Sequence, residues 1–141
     1  NGADLFGKPY DLEGLRLFIM HIHDVCQIKI AGTFILGGKS ETEATVRNMI
    51  NTSIQLGIDK AEYSPLFVYP DTPLYGEVFS NPKEWFDIVK SANEPWGEVV
   101  YETESLTKEK LQQLVDEAYH AFYGDTEFDV TNHIKDRYQL K

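Results

Sequence analysis

Cysteine is almost missing from this chain: of 141 residues, Cys26 alone carries a thiol. One thiol excludes an internal disulfide and any multi-cysteine cage for zinc or for an iron–sulfur cluster held by this chain alone. A lone free cysteine fits a reducing compartment, and the expected localisation is cytoplasmic. Long apolar runs are missing as well, since none approaches the roughly 20 residues that a membrane-spanning helix needs. Positive charge is scarce: 13 Lys and Arg face 23 Asp and Glu, for a formal net charge of −10. Nucleic-acid modules concentrate Lys and Arg on one face, so this balance argues against nucleic acid and against anionic membranes as direct partners. Internal repeats and low-complexity tracts are also lacking. The chain begins at Asn1 without a charged and apolar leader, and is therefore expected to be an excised piece of a longer protein.

What is present is an ordinary globular composition, 42% hydrophobic and 13% aromatic, in a length that supports one core. Leu12, Leu15, Phe18, Ile19, Ile22 and Cys26 fall at helical spacing behind a capping Asp11, which predicts a helix over about 11–26. Residues 28–36 are β-rich and end as a nearly continuous apolar run, the pattern of a strand buried on both faces. Ser40 and Glu43 stand at capping-box spacing before a helix over about 41–56, where Val46, Met49, Ile50, Ser53 and Ile54 share a face that Gly57 can end. A second strand over about 59–67 follows directly. Strand, helix and strand then form a parallel crossover unit, which makes the fold class α/β. Beyond it lie a proline-interrupted turn at 69–75, a short helix over about 82–92, a short strand or extended segment at 98–103, and a helix from a Thr107 cap to Gly124. Trp96 beside Gly97 is expected to pack locally, and Ile134, Tyr138 and Leu140 allow one more short helix in the tail.

Single residues do not settle a function. His21 and His23 stand two apart, which on a helix turns them to different faces and makes them a poor joint ligand pair. Cys26 lies on the apolar stripe of the first helix and is expected to be a buried structural thiol. Gly37-Gly38-Lys39-Ser40 lacks the longer Gly-x-x-x-x-Gly-Lys-Ser/Thr spacing of a phosphate loop, and its glycines serve a tight turn equally well. Glu41 and Glu43 fit helix capping and the helix dipole. No catalytic and no metal-binding residue is assigned.

The order of three segments says more. Phe34-Ile35-Leu36-Gly37-Gly38-Lys39-Ser40-Glu41-Thr42, Tyr69-Pro70-Asp71-Thr72-Pro73-Leu74-Tyr75 and Ala118-Tyr119-His120-Ala121-Phe122-Tyr123 follow one another across 34–123. In this order the chain resembles the C-terminal half of a radical S-adenosylmethionine (Fe–S oxidoreductase) domain, of the subgroup associated with cobalamin-binding domains. The family pattern reads Phe-Ile-x-Gly-x-Pro-Gly-Glu-Thr, then Tyr-Pro-Gly-Thr-Pro-Leu-Tyr, then Ala-Tyr-x-x-Phe-Tyr. Lys39-Ser40 departs from Pro-Gly, and Asp71 stands in place of glycine.

The resemblance implies a partial parallel (β/α) barrel, half of a radical S-adenosylmethionine TIM-type barrel, over 1–103, with a C-terminal helical extension over 104–141. Ligands of such barrels lie at the C-terminal ends of the strands. By that analogy Phe34, Ile35, Gly37 and Gly38, with Leu66 at the end of the second strand, are expected on the cofactor side, although strand alternation prevents Phe34 and Ile35 from both facing a ligand. The implied cofactors are S-adenosylmethionine and a 4Fe–4S cluster in the full-length protein, with cobalamin through an upstream domain of that subgroup. The Cys-x-x-x-Cys-x-x-Cys loop that holds such a cluster is absent, so this chain alone is expected to hold none of them and to be inactive. The expected partners are a small-molecule substrate, the missing N-terminal half and, because a half-barrel exposes a strand edge and an inner face, a second copy of the chain. The alternative reading is a stand-alone degenerate relative that binds without a cluster; an unrelated α/β domain with a nucleotide at Gly37-Gly38 is third.

Overall fold

A computed structural model describes residues 11–91 and 99–124. It is a mixed α/β structure of five helices and a two-stranded parallel sheet, with β1 at Ala31–Leu36 and β2 at Lys60–Pro65. Between them runs α2 (Glu43–Gln55), so the strand-helix-strand crossover is as the sequence predicts. The register pairs Phe34 with Tyr63 and Leu36 with Pro65.

The cap of α2 is a correction. Thr42, not Ser40, is the N-cap, and its box partner is Thr45, whose amide donates to Thr42 Oγ1 while Thr45 Oγ1 accepts from the Thr42 amide at 2.8 Å. The helix thus starts two residues later than its Ser/Glu spacing suggests, which frees Glu41 for another role.

One face of the sheet is covered and the other is not. Gly32, Phe34 and Leu36 on β1, and Ala61, Tyr63 and Pro65 on β2, turn toward the helices, whereas Ala31, Thr33 and Ile35 are exposed. The apolar run predicts a strand buried on both faces; among the described residues only one face has a layer on it. On that face α2 and α5 (Lys108–Tyr123) pack against each other and α5 also packs on β2. The main core joins Leu36, Val46, Ile50, Tyr63, Leu111 and Leu114. Residues 104–124, expected as a helical extension, supply Leu106, Leu111, Leu114, Val115 and Ala118 to this same core.

The first helix departs most from its prediction. Asp11 caps α1 (Leu12–His21) through the Gly14 amide at 3.0 Å, and a π-helical turn, Ile22–Cys26, then carries the chain to a left-handed Gln27 (φ 54°). Only Ile19 of α1 is buried. Leu12, Leu15, Leu17, Met20 and Phe18, the last 57% exposed, are left in contact with solvent. A π-turn adds a residue to the helical repeat and rotates the stripe that follows it. Cys26 accordingly lies exposed, contrary to the buried thiol that helical spacing predicts. His23, within the π-turn, contacts Asp59 at 2.8 Å, and the same Asp59 oxygen accepts from the Ile30 amide at 2.8 Å, fastening the turn to the start of β2.

A smaller apolar cluster gathers beyond the C-terminal end of β2. Phe67, Val68, Phe79 and Val100 form its centre, with Leu74, Trp85 and Ile88 packed around them from α3 (Pro73–Val78) and α4 (Pro82–Ser91). Trp85 Nε1 donates to the Val68 carbonyl at 2.8 Å. No strand forms at 99–103; Thr103 and Leu106 instead close a turn by mutual backbone hydrogen bonds of 2.9 and 3.2 Å. The expectations for Trp96, Gly97 and the tail from 125 lie outside the described residues.

Candidate functional site

Of the three segments singled out in the sequence, the first and third lie on the sheet and the second leads into α3. The first begins in β1 and turns at its C-terminal end. Gly37 has a φ of 96°, in the region that favours glycine, and a Cβ there would sit 2.5 Å from Leu111 Cδ2. Its lack of a side chain is therefore required twice, by backbone conformation and by the close passage of α5. Gly38 needs neither: its φ is not positive, and a Cβ would meet only Glu41 at an ordinary 3.6 Å.

Glu41 fills the space in front of this turn. Only 6% exposed, it accepts the Gly37 amide at 2.7 Å and the Gly38 amide at 2.8 Å on one carboxylate oxygen. Two converging amides at the end of a strand are what an anionic ligand group would use, and here the protein's own carboxylate uses them. Charge-assisted hydrogen bonds of this kind are about twice as strong as neutral ones, so a ligand's carboxylate or phosphate would first have to displace Glu41. Its spacing, three and four residues after a glycine pair, was the available signal; helix capping gave it a simpler reading.

The alternation of β1 separates the two apolar candidates. Phe34 turns to the helices and stacks on Tyr63, with ring centroids 5.3 Å apart. Ile35 is on the uncovered face, 54% exposed, and is the apolar side chain that a planar ligand on that face could meet. Leu66, half-buried, follows directly on β2, and its amide donates to the Leu36 carbonyl at 2.7 Å, continuing the pairing past the strand ends. Ile35, Gly37, Gly38 and Leu66 thus lie at the C-terminal end of the parallel pair, while Phe34 belongs to the core.

The second segment forms the entry to α3. Thr72 caps this helix by accepting the Tyr75 amide at 3.3 Å, Pro73 occupies the first turn, and Thr72 Oγ1 donates to the Tyr69 carbonyl at 2.7 Å. Asp71, the residue that stands where the family pattern has glycine, has a φ of 63°. Non-glycine residues reach this left-handed region uncommonly, Asp and Asn more readily than most. Lys39, one of the residues that departs from the pattern, bridges to α3 through Glu77 at 2.7 Å, and this partner raises its pKa above the ordinary lysine value.

The third segment closes the outer edge of β2. Tyr119 Oη accepts the Tyr63 amide at 3.1 Å and donates to the Tyr63 carbonyl at 3.0 Å; Tyr123 does the same for Ala61 at 2.9 and 2.8 Å. The spacing explains the fit. Four residues of helix advance about 6 Å and two residues of strand about 6.6 Å, so hydroxyls at i and i+4 meet alternate strand residues. Pro65, next in the alternation, has no amide hydrogen to pair. Burial pushes the Tyr119 phenol above its ordinary pKa, consistent with a hydroxyl that must keep its proton to donate. Sequence reading placed Tyr119 and Tyr123 in a family pattern without assigning them this task.

Among the described residues no group of three or more His, Cys, Asp or Glu is placed to hold a metal ion, and no helix is long and apolar enough to cross a membrane. With Cys26 alone and exposed, these residues do not fit an iron–sulfur cluster. Compared with protein-family models, with curated proteins and with solved structures, the chain has no match in any of the three.

Proposed function

We propose that this chain is the C-terminal part of a radical S-adenosylmethionine iron–sulfur enzyme, lending two adjacent strands to the adenine and substrate side of a parallel (β/α) barrel whose cluster cysteines lie upstream. The observation that carries the reading is Asp71: of the two residues that stand where the pattern has glycine, Ser40 and Asp71, it is Asp71 that has a glycine-like φ, 63°. Further support comes from the parallel pair itself, from an uncovered face that presents Ile35 at the strand ends, and from tyrosines of the third segment on β2. The reaction class, reductive cleavage of S-adenosylmethionine to a 5′-deoxyadenosyl radical, comes from the resemblance, and no step of it is assigned to a residue of this chain.

The test uses the longer polypeptide encoded with its upstream segment, reconstituted anaerobically with iron and sulfide and assayed for 5′-deoxyadenosine. Release of 5′-deoxyadenosine is expected. In that polypeptide Ile35→Glu should raise KM for S-adenosylmethionine about tenfold or more, the loss of roughly 1.4 kcal/mol of apolar contact. An upstream sequence with no Cys-x-x-x-Cys-x-x-Cys loop would sink the assignment.

A second reading is a cluster-free binding domain, in which the strand-end amides stay with Glu41 and a ligand uses the open face alone. Under that reading the isolated chain binds a nucleoside through the open face, and calorimetry with adenosine reports it.

A further inference from the structure

We draw no further inference here: the strongest candidate, the row of exposed apolar side chains on α1 formed by Leu12, Leu15 and Phe18, carries nothing because nothing in the structure shows what covers it.

Discussion

The two edges of this small sheet make opposite use of their backbone. On β2 every outward group at Ala61 and Tyr63 is satisfied by a phenol from α5, and Pro65 has no amide to offer; on β1 the outward groups of Ala31, Thr33 and Ile35 are open among the described residues. An unpaired edge is a template for further pairing. A helix can remove that template without a strand, provided that hydroxyls recur at four-residue spacing on the face turned to the edge. Among the described residues the sheet is thus closed at β2 by α5 and open at β1.

The sharpest way to break this contrast is to open β2. Tyr119→Phe together with Tyr123→Phe leaves four part-buried backbone groups without partners. Each orphaned group costs up to about 1–3 kcal/mol when fully dry, and since water reaches part of this edge the pair should lose about 3–5 kcal/mol in denaturant unfolding. The double variant should also gain concentration-dependent association through the opened β2 edge, seen by analytical ultracentrifugation. In the intact protein the raised Tyr119 pKa implies a contribution present below the ordinary phenol value near 10 and lost as the pH rises through the folded value. The alkaline arm of a stability profile should therefore flatten in Tyr119→Phe.

Next in size is the turn that ends β1. Gly37→Ala forces an alanine to a φ of 96° and drives its Cβ into Leu111, which is almost fully buried. Backbone strain of about 1–2 kcal/mol and overpacking of about 1–3 kcal/mol, less the entropy gained in the unfolded chain, give a net loss of about 2–3 kcal/mol. Gly38→Ala meets neither obstacle and should change stability by less than about 1 kcal/mol. Comparable losses at both glycines in thermal melts would show that the turn is not built as described.

How much of this was legible in the sequence depends on how local the determinant was. The parallel crossover, the Thr107 cap and the Leu111–Leu114–Ala118 stripe follow from spacing alone, because short-range patterning decides them. Cys26 and the α1 stripe were misread because periodicity tells which residues share a face but not whether anything packs on it. Glu41 was hidden by the Ser40–Glu43 spacing, which starts the helix two residues early and assigns Glu41 to its first turn; only the backbone shows that Thr42 is the cap. The phenol ladder required the separation of Tyr119 from Tyr123 to be compared with that of alternate residues on a strand 56 positions earlier. Local patterning carries no such information.

A smaller effect concerns the junction between α1 and the sheet. Asp59 holds both His23 and the Ile30 amide, and the amide hydrogen bond is the first cause of a carboxyl pKa below the ordinary value. A lowered folded pKa contributes stability above the unfolded value near 3.9 that disappears as the pH falls through the folded one. Asp59→Asn should remove that part of the acid transition, seen as a shallower loss of melting temperature below about pH 4, and should leave the alkaline arm assigned to the β2 edge unchanged. A shift of both arms would mean that the two ends of the strands are not independent.

The smallest expected change sharpens the reading of the second segment. Asp71 has a φ of 63°, where an L-residue with a side chain is strained by about 1 kcal/mol and glycine is not. Asp71→Gly relieves this strain but adds freedom to the unfolded chain, which returns about 0.4–1 kcal/mol in the opposite direction. The net effect should lie between zero and about 0.5 kcal/mol of stabilisation, whereas glycine at an ordinary helical or extended position is destabilising by about 0.5–1 kcal/mol. The sign is therefore the test. Clear destabilisation by Asp71→Gly in denaturant unfolding would mean that Asp71 does not hold the glycine-like conformation, and the observation that carries the proposed function would be lost with it.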